Sequence, residues 1–123
     1  MFKDLLLVGL GGGVGSMLRF LTIRLSARFI SSDWTLIGTF IANIVGCFII
    51  GILVGWLLPF MGKSQNLSLL LVTGFCGGYT TFSAFAFENV QLLQSGHTLF
   101  SILYIISSIT MGLLAVWGGL KLS

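Results

Sequence analysis

Charge is scarce in this chain. Six Lys or Arg and three Asp or Glu make up 7% of its 123 residues, where a soluble domain carries about 25%. A fold of that size surrounded by water needs a polar skin, and so little charge cannot supply one. The six basic residues are scattered and form no basic stripe for a nucleic acid. The net charge of +3 is a small surplus that implies no polyanionic partner. Cysteine is nearly absent. Cys47 and Cys76 fall inside apolar stretches, where a thiol behaves as a small hydrophobe, so neither a disulfide nor a metal site is expected of them. A cleavage site is missing too. Met1-Phe2-Lys3 followed by Leu5-Leu6-Leu7-Val8 has the look of a signal peptide, but no A-x-A-like site follows before Arg19, so the stretch is expected to stay. Asn66-Leu67-Ser68 matches a glycosylation sequon, a short pattern that recurs by chance.

What the chain has in abundance is apolar bulk. The hydrophobic set is 56%, and 17 glycines bring the apolar share to roughly 70%, against about 45–50% in a soluble domain. No Asp, Glu, Lys or Arg occurs in 34–62, 64–87 or 89–120. Each run exceeds the ~20 apolar residues that cross the hydrocarbon as a helix. The first segment is uncharged only over 5–18, but Leu21, Ile23, Leu25 and Ala27 extend it, and Arg19 can snorkel from near a helix end. The runs lack the period-two alternation of a barrel, so helices are the remaining way to satisfy the backbone in lipid. The reading is an all-α integral membrane protein of one domain, 1–123, with four transmembrane helices near 4–28, 35–58, 66–94 and 98–120 joined by short connections.

Four spans put both termini and the 59–65 loop on one side. Lys3, Lys63 and Lys121 fall there, and Arg19, Arg24 and Arg28 lie at or toward the other. Three against three gives the positive-inside rule nothing to act on. Such a chain is expected to insert both ways up, so that antiparallel copies pair about a two-fold axis in the membrane plane.

Inside the second span, Gly38, Ala42 and Gly46 recur every fourth residue as a seam for close helix packing, and Gly51 and Gly55 repeat the spacing. Thr39 and Asn43 stand beside it, one turn apart. An amide in a membrane needs partners. Taken alone, Asn43 fits helix glue better than a polar path. The third span is different. Its centre reads Gly74-Phe75-Cys76-Gly77-Gly78-Tyr79-Thr80-Thr81-Phe82-Ser83-Ala84-Phe85, poor material for an unbroken helix. A break there frees carbonyls, which survive in lipid only when buried, lining a water cavity or coordinating an ion. Carbonyls at that depth form a nest for a small monovalent cation, and in an antiparallel pair the break meets its own copy. Phe82 and Phe85 share one face beside it. In the fourth span, Ser101, Tyr104 and Ser108 align, with Ser107 and Thr110 alongside; such hydroxyls either bond back to their own helix or line a narrow polar track.

These residues carry a resemblance that spans the whole chain. Gly12-Gly13-Val14-Gly15 with Arg19, Gly38-Thr39 with Asn43, Gly46 and Gly51, and above all the 74–85 block resemble the Fluc (CrcB-type) fluoride channels. The chain departs from that family's usual pattern at Ala84, where Thr is common, and at Gly112, where a hydroxyl is common. The resemblance implies a dual-topology homodimer in the cell membrane with two fluoride pores and one central sodium, a channel and not an enzyme. By similarity, main-chain oxygens of Gly77 and Thr80 from both subunits hold the sodium. Phe82 and Phe85 correspond to pore aromatics, Asn43 to an amide that contacts the ion, and Thr39, Tyr104 and Ser108 to the polar track. Fluoride is small and strongly hydrated, so its lost water has to be replaced by donors such as these, and ring edges of Phe can face an anion. Arg19 is either a snorkelling anchor or a cation that concentrates anions at a vestibule. Glu88 opposes an anion unless protonated, paired or turned away.

The competing expectation is a small multidrug-resistance exporter, similar in length and span number. That chemistry needs a membrane-embedded carboxylate in the first helix, where this chain has only Asp4 at the extreme start. A third class, an assembly subunit, would not require the Gly-Gly-x-Thr-Thr block. The glycines of the first span fit no G-x-G-x-x-G register, and Asp33 at a tempting distance is coincidence.

Overall fold

Among the described residues, four helices are long and apolar enough to cross a membrane: Phe2–Phe29, Thr35–Leu57, Gln65–Gln94 and Thr98–Leu122. The structure, a computed structural model, describes residues 1–29, 35–60 and 65–123; Asp33 and Lys63, used in the charge and spacing arguments, lie outside the described residues. We label Phe2–Phe29 α1 and Thr35–Leu57 α2; a tight turn, Leu58–Phe60, follows α2. The third span comprises α3, residues 65–79, and α4, Phe82–Gln94; Thr98–Leu122 is α5.

The distribution of side chains is the reverse of a soluble bundle. Large apolar residues such as Leu10, Phe20, Leu103, Ile106 and Leu113 are exposed, whereas Thr39, Ala42, Cys76, Glu88, Asn89 and Ser101 are buried. Lipid removes any hydrophobic drive between helices, so small residues and polar bonds are left to hold them together.

Glycines set the closest approaches. A Cβ on Gly11 or Gly15 of α1 would strike the backbone oxygens of Leu70 and Phe75 respectively. From the other side, a Cβ on Gly74 would lie 2.9 Å from Val8 O, and one on Gly78 would strike Gly12 O. Both pairs repeat at i, i+4, the small-xxx-small spacing that lets two backbones touch. The seam of α2 serves several neighbours. Gly38 faces Ile23 Cα of α1 at 2.7 Å from its notional Cβ, Gly46 faces Thr80 and Tyr79, and Gly51 meets Gly119 Cα of α5 at 3.0 Å.

The third span changes its winding along its length. Residues 68–76 follow the wider π form, and the Gly77 amide that closes it donates to Val72 O, five residues back, and to Gly74 O. α3 stops at Tyr79. Thr80 (φ −85°, ψ 158°) and Thr81 (φ −149°, ψ 124°) are extended, and α4 starts at Phe82. α4 in turn ends in a glycine-capped turn: Gly96 takes φ +84°, its amide donates to Leu93 O (3.3 Å) and the His97 amide to Leu92 O (2.8 Å). That pairing satisfies carbonyls the helix end would leave open, and the left-handed residue is a glycine because a Cβ is disfavoured there.

Candidate functional site

Two hydrogen bonds define the extended pair. The Thr81 amide, which in a continuous helix would donate to Gly77 O, donates to Asn43 Oδ1 at 2.7 Å. Asn43 Nδ2 donates back to Thr81 O at 3.1 Å. One carboxamide thus replaces a helical neighbour on both sides of a single residue. The Ala84 amide, whose helical acceptor would be Thr80 O, goes instead to Thr81 Oγ1 at 3.2 Å, an N-cap for α4. Arg19 Nη1 donates to Thr80 O at 3.3 Å. Tyr79 Oη and Thr22 Oγ1 are 2.9 Å apart; Thr22 spends its proton on Leu18 O, so Tyr79 is the donor between them.

A groove of ≈ 580 Å³ runs along this interruption, its walls including Asn43, Cys47, Gly77, Thr80, Phe82 and Ser108. Phe85 lines it as well. Phe82 is 78% exposed, a large ring standing uncovered at the edge of the groove. Its centroid lies 6.0 Å from that of Phe85, and Phe85 meets Tyr104 edge-on at 5.1 Å. The Ser108 hydroxyl is buried without a partner, the one such side-chain atom among the described residues.

Behind the aromatics sits a carboxylate. Glu88, 7% exposed, accepts from Thr39 Oγ1 on Oε2 (2.7 Å) and from Tyr104 Oη on Oε1 (2.8 Å). It is therefore paired, and the two hydroxyls assigned from the sequence to a polar track are turned toward it. Glu88 also borders a smaller cavity of ≈ 270 Å³ with Thr35, Gln91, Ser95 and His97. Arg19 borders a further cavity of ≈ 470 Å³ together with Ser16, Thr81 and Ser83. The structure thus brings Asn43, Phe82, Phe85 and Ser108 to one groove, joins Thr39 and Tyr104 through Glu88, and sets Arg19 against the interruption.

Comparison with known proteins gives this arrangement a relation. Residues 6–120 match the family model described as CrcB-like protein, Camphor Resistance (CrcB). The chain belongs to the CrcB-like family. It is 46% identical over 118 residues to a protein of Flavobacterium psychrophilum named fluoride-specific ion channel FluC, covering 96% of this chain and 94% of that one. Proteins of the same name from Azobacteroides pseudotrichonymphae and Rhizobium meliloti are 48% and 41% identical, over 94% and 98% of this chain and 92% and 95% of theirs. As a CrcB-like protein with four spans, it is a multi-pass membrane protein.

Three features of this CrcB-like chain escaped the sequence reading. The role of Glu88 depends on Thr39 and Tyr104, 49 and 16 residues away on other helices, which no local spacing reveals. The α1–α3 seam joins two i, i+4 glycine pairs, Gly11/Gly15 and Gly74/Gly78, and nothing in a single sequence says which pair meets which. Asn89, buried and bonded to Ser101 Oγ at 2.9 Å, carried no signal at all beyond being an amide next to an acid.

Proposed function

We propose that this chain is a passive, fluoride-selective channel, built from two oppositely inserted copies with two pores and a structural sodium between them. The observation that carries the reading is the near full-length similarity to proteins named fluoride-specific ion channels. The site chemistry supports it. A fluoride ion leaving water needs hydrogen-bond donors, because it is a small and strong acceptor. An amide has two N–H groups, and the Thr81 clamp uses one of Asn43's. The Ser108 hydroxyl adds an uncommitted donor on the same groove. The edges of Phe82 and Phe85 offer positive quadrupole without a fixed charge that would hold the anion back. An ion that reaches Thr39 and Tyr104 competes with the Glu88 carboxylate for two protons already hydrogen-bonded. Larger halides gain less from so compact a donor set. Arg19, bordering the neighbouring cavity, supplies the positive potential that gathers anions.

The residues also fit a sodium ion. Diverting the Thr81 and Ala84 amides leaves Gly77 O and Thr80 O without the helical donors they would otherwise have. Both residues line the groove, and the Gly77 position has nothing within 4 Å of a notional Cβ. Arg19 engages Thr80 O, but a carbonyl has two lone pairs. Two carbonyls per copy, doubled at a two-fold axis, make a neutral oxygen nest for a monovalent cation. Sodium there would neutralise the crowded carbonyl dipoles and tie the copies together. Because Gly77 packs against nothing within its own protomer, Gly77→Leu is expected to leave the protomer helical and abolish the dimer on size exclusion. A Gly77→Leu dimer of undiminished sodium dependence overturns the sodium assignment.

The decisive experiment is fluoride efflux from liposomes holding the purified chain. Rapid efflux with no proton gradient is the expected result. Export of a cationic drug that requires a proton gradient, with no fluoride flux, would favour the antiporter; no transport of either kind would leave an assembly role.

A further inference from the structure

Beside Glu88 lies a second buried polar pair that reaches the groove only through the main chain of Phe85. Ser101 Oγ, on the first turns of α5, donates to Asn89 Oδ1 of α4 at 2.9 Å. Asn89 Nδ2 donates to the main-chain oxygen of Phe85, one turn back, at 2.8 Å. Ser101 is 1% exposed and Asn89 6%. Neither residue lines the groove that holds Phe82, Phe85 and Ser108.

The register of this pair is what matters. Tyr104 follows Ser101 by three residues, so both stand on one face of α5. Glu88 precedes Asn89 by one, and Phe85 lies one turn before both. When Ser101 is bonded to Asn89, the same rotation and depth of α5 bring the Tyr104 ring edge-on to Phe85 at 5.1 Å and its hydroxyl to Glu88 at 2.8 Å. α4 and α5 have no glycine contact to set their distance; the close backbone approaches of α5 are to α2, at Gly51 and Gly119. Two polar bonds, Tyr104 to Glu88 and Ser101 to Asn89, therefore fix how α4 sits on α5.

We propose that Asn89 and Ser101 are positioning residues that lock the register of α5 on α4, set the Phe85–Tyr104 ring geometry, and through it tune the discrimination between fluoride and larger halides. This rests on the channel reading above. Phe85 lines the groove and Tyr104 meets it edge-on, so a Tyr104 ring displaced by a fraction of an ångström lets the Phe85 wall shift, and a wider groove loses the preference for the smallest ion. Asn89 acts through the Phe85 backbone and not by touching the anion.

The test uses the full chain in liposomes, with fluoride and chloride efflux measured on the same preparations, and compares Asn89→Leu, Ser101→Ala and Ser101→Thr. Asn89→Leu is expected to slow fluoride by about three- to tenfold, the rate equivalent of one interhelical hydrogen bond, and to raise the chloride-to-fluoride ratio. Ser101→Ala shifts both in the same direction by less, and Ser101→Thr, which keeps the hydroxyl, restores them. A purely structural role lowers the yield of assembled protein and leaves the ratio of the assembled fraction at the wild-type value; that result overturns the proposal. A second readout stands apart from conduction. With 4-fluorophenylalanine at position 85, the ¹⁹F resonance reports the Tyr104 contact, and Ser101→Ala is expected to move it. An unmoved resonance sinks the positioning role even in a protein that conducts no fluoride, and absent flux in the wild type counts against the channel reading alone.

Discussion

The two halves of the third span are held by opposite means. α3 lies against α1 with backbone on backbone, glycine to carbonyl, at Gly11, Gly15, Gly74 and Gly78. α4 has no such seam. It hangs from side-chain hydrogen bonds: the Asn43 clamp at its start, then Glu88 on Thr39 and Tyr104, then Asn89 on Ser101. Lipid offers helices two substitutes for the hydrophobic effect, close van der Waals contact and satisfied polar groups, and this span uses one on each side of Thr80–Thr81. The difference teaches where rigidity and chemistry separate. A glycine seam tolerates no added atom and offers an ion nothing. A polar suspension can exchange a partner for an ion, and Asn43 keeps a second N–H beyond the one its clamp uses.

The sharpest way to break the comparison is to put bulk into the seam. Gly15→Leu drives a side chain into the Phe75 oxygen, with the Tyr79 amide at 2.8 Å from the notional Cβ. Neither neighbour is a flexible tip, so α1 and α3 have to part, at a cost above ~4 kcal/mol, the range reserved for severe core damage. The expected outcome is loss of folded protein in detergent, judged by circular dichroism and size exclusion. Gly13→Ala, where nothing lies within 4 Å, is the matched control and should be silent. A folded Gly15→Leu would show that the seam does not hold α3.

The suspension should give more gently. Asn43→Leu keeps the size of the side chain and removes both bonds to Thr81, leaving an amide and a carbonyl to find other partners. Interhelical bonds in membranes are worth on the order of 0.6–2 kcal/mol each, so a loss of about 1–4 kcal/mol in stability is expected for the two, with a far larger fall in fluoride efflux because the α4 start loses its anchor. Equal stability and equal flux would mean that Thr80 and Thr81 stay extended without Asn43.

How much of this was legible follows the same division. The four spans were legible because charge is confined to a few positions and leaves 34–62, 64–87 and 89–120 uncharged, and membrane length makes such runs decisive. The Gly-Gly-x-Thr-Thr block marked the place where the third span changes, because glycine and threonine are weak helix formers whatever surrounds them. The π winding over 68–76 was not legible; Leu69-Leu70-Leu71-Val72 reads as ordinary helix, and the wider turn depends on the partners it packs against. Nor was the pairing of the buried polar groups. Thr39, Tyr104 and Asn43 were each recognisable as polar residues in lipid, but their partners are set by how α2, α4 and α5 face one another. That placement turns two hydroxyls assigned to a polar track toward Glu88.

The smallest expected effect on stability is also the one that isolates function. Ser108 Oγ is buried with no hydrogen bond, so the fold gains nothing from it and carries the cost of its desolvation. Ser108→Ala should therefore leave the melting temperature unchanged or slightly raised, with a change within ~0.5 kcal/mol. An unpartnered donor on the wall shared with Phe82 and Phe85 has a use only when something else arrives to accept from it. If that is the passing ion, Ser108→Ala slows fluoride efflux severalfold while stability stays level, and Ser108→Thr, which keeps the hydroxyl, recovers most of the rate. Stability and flux that move together would instead place Ser108 within the helix packing, and the polar suspension of α4 would then end at Tyr104.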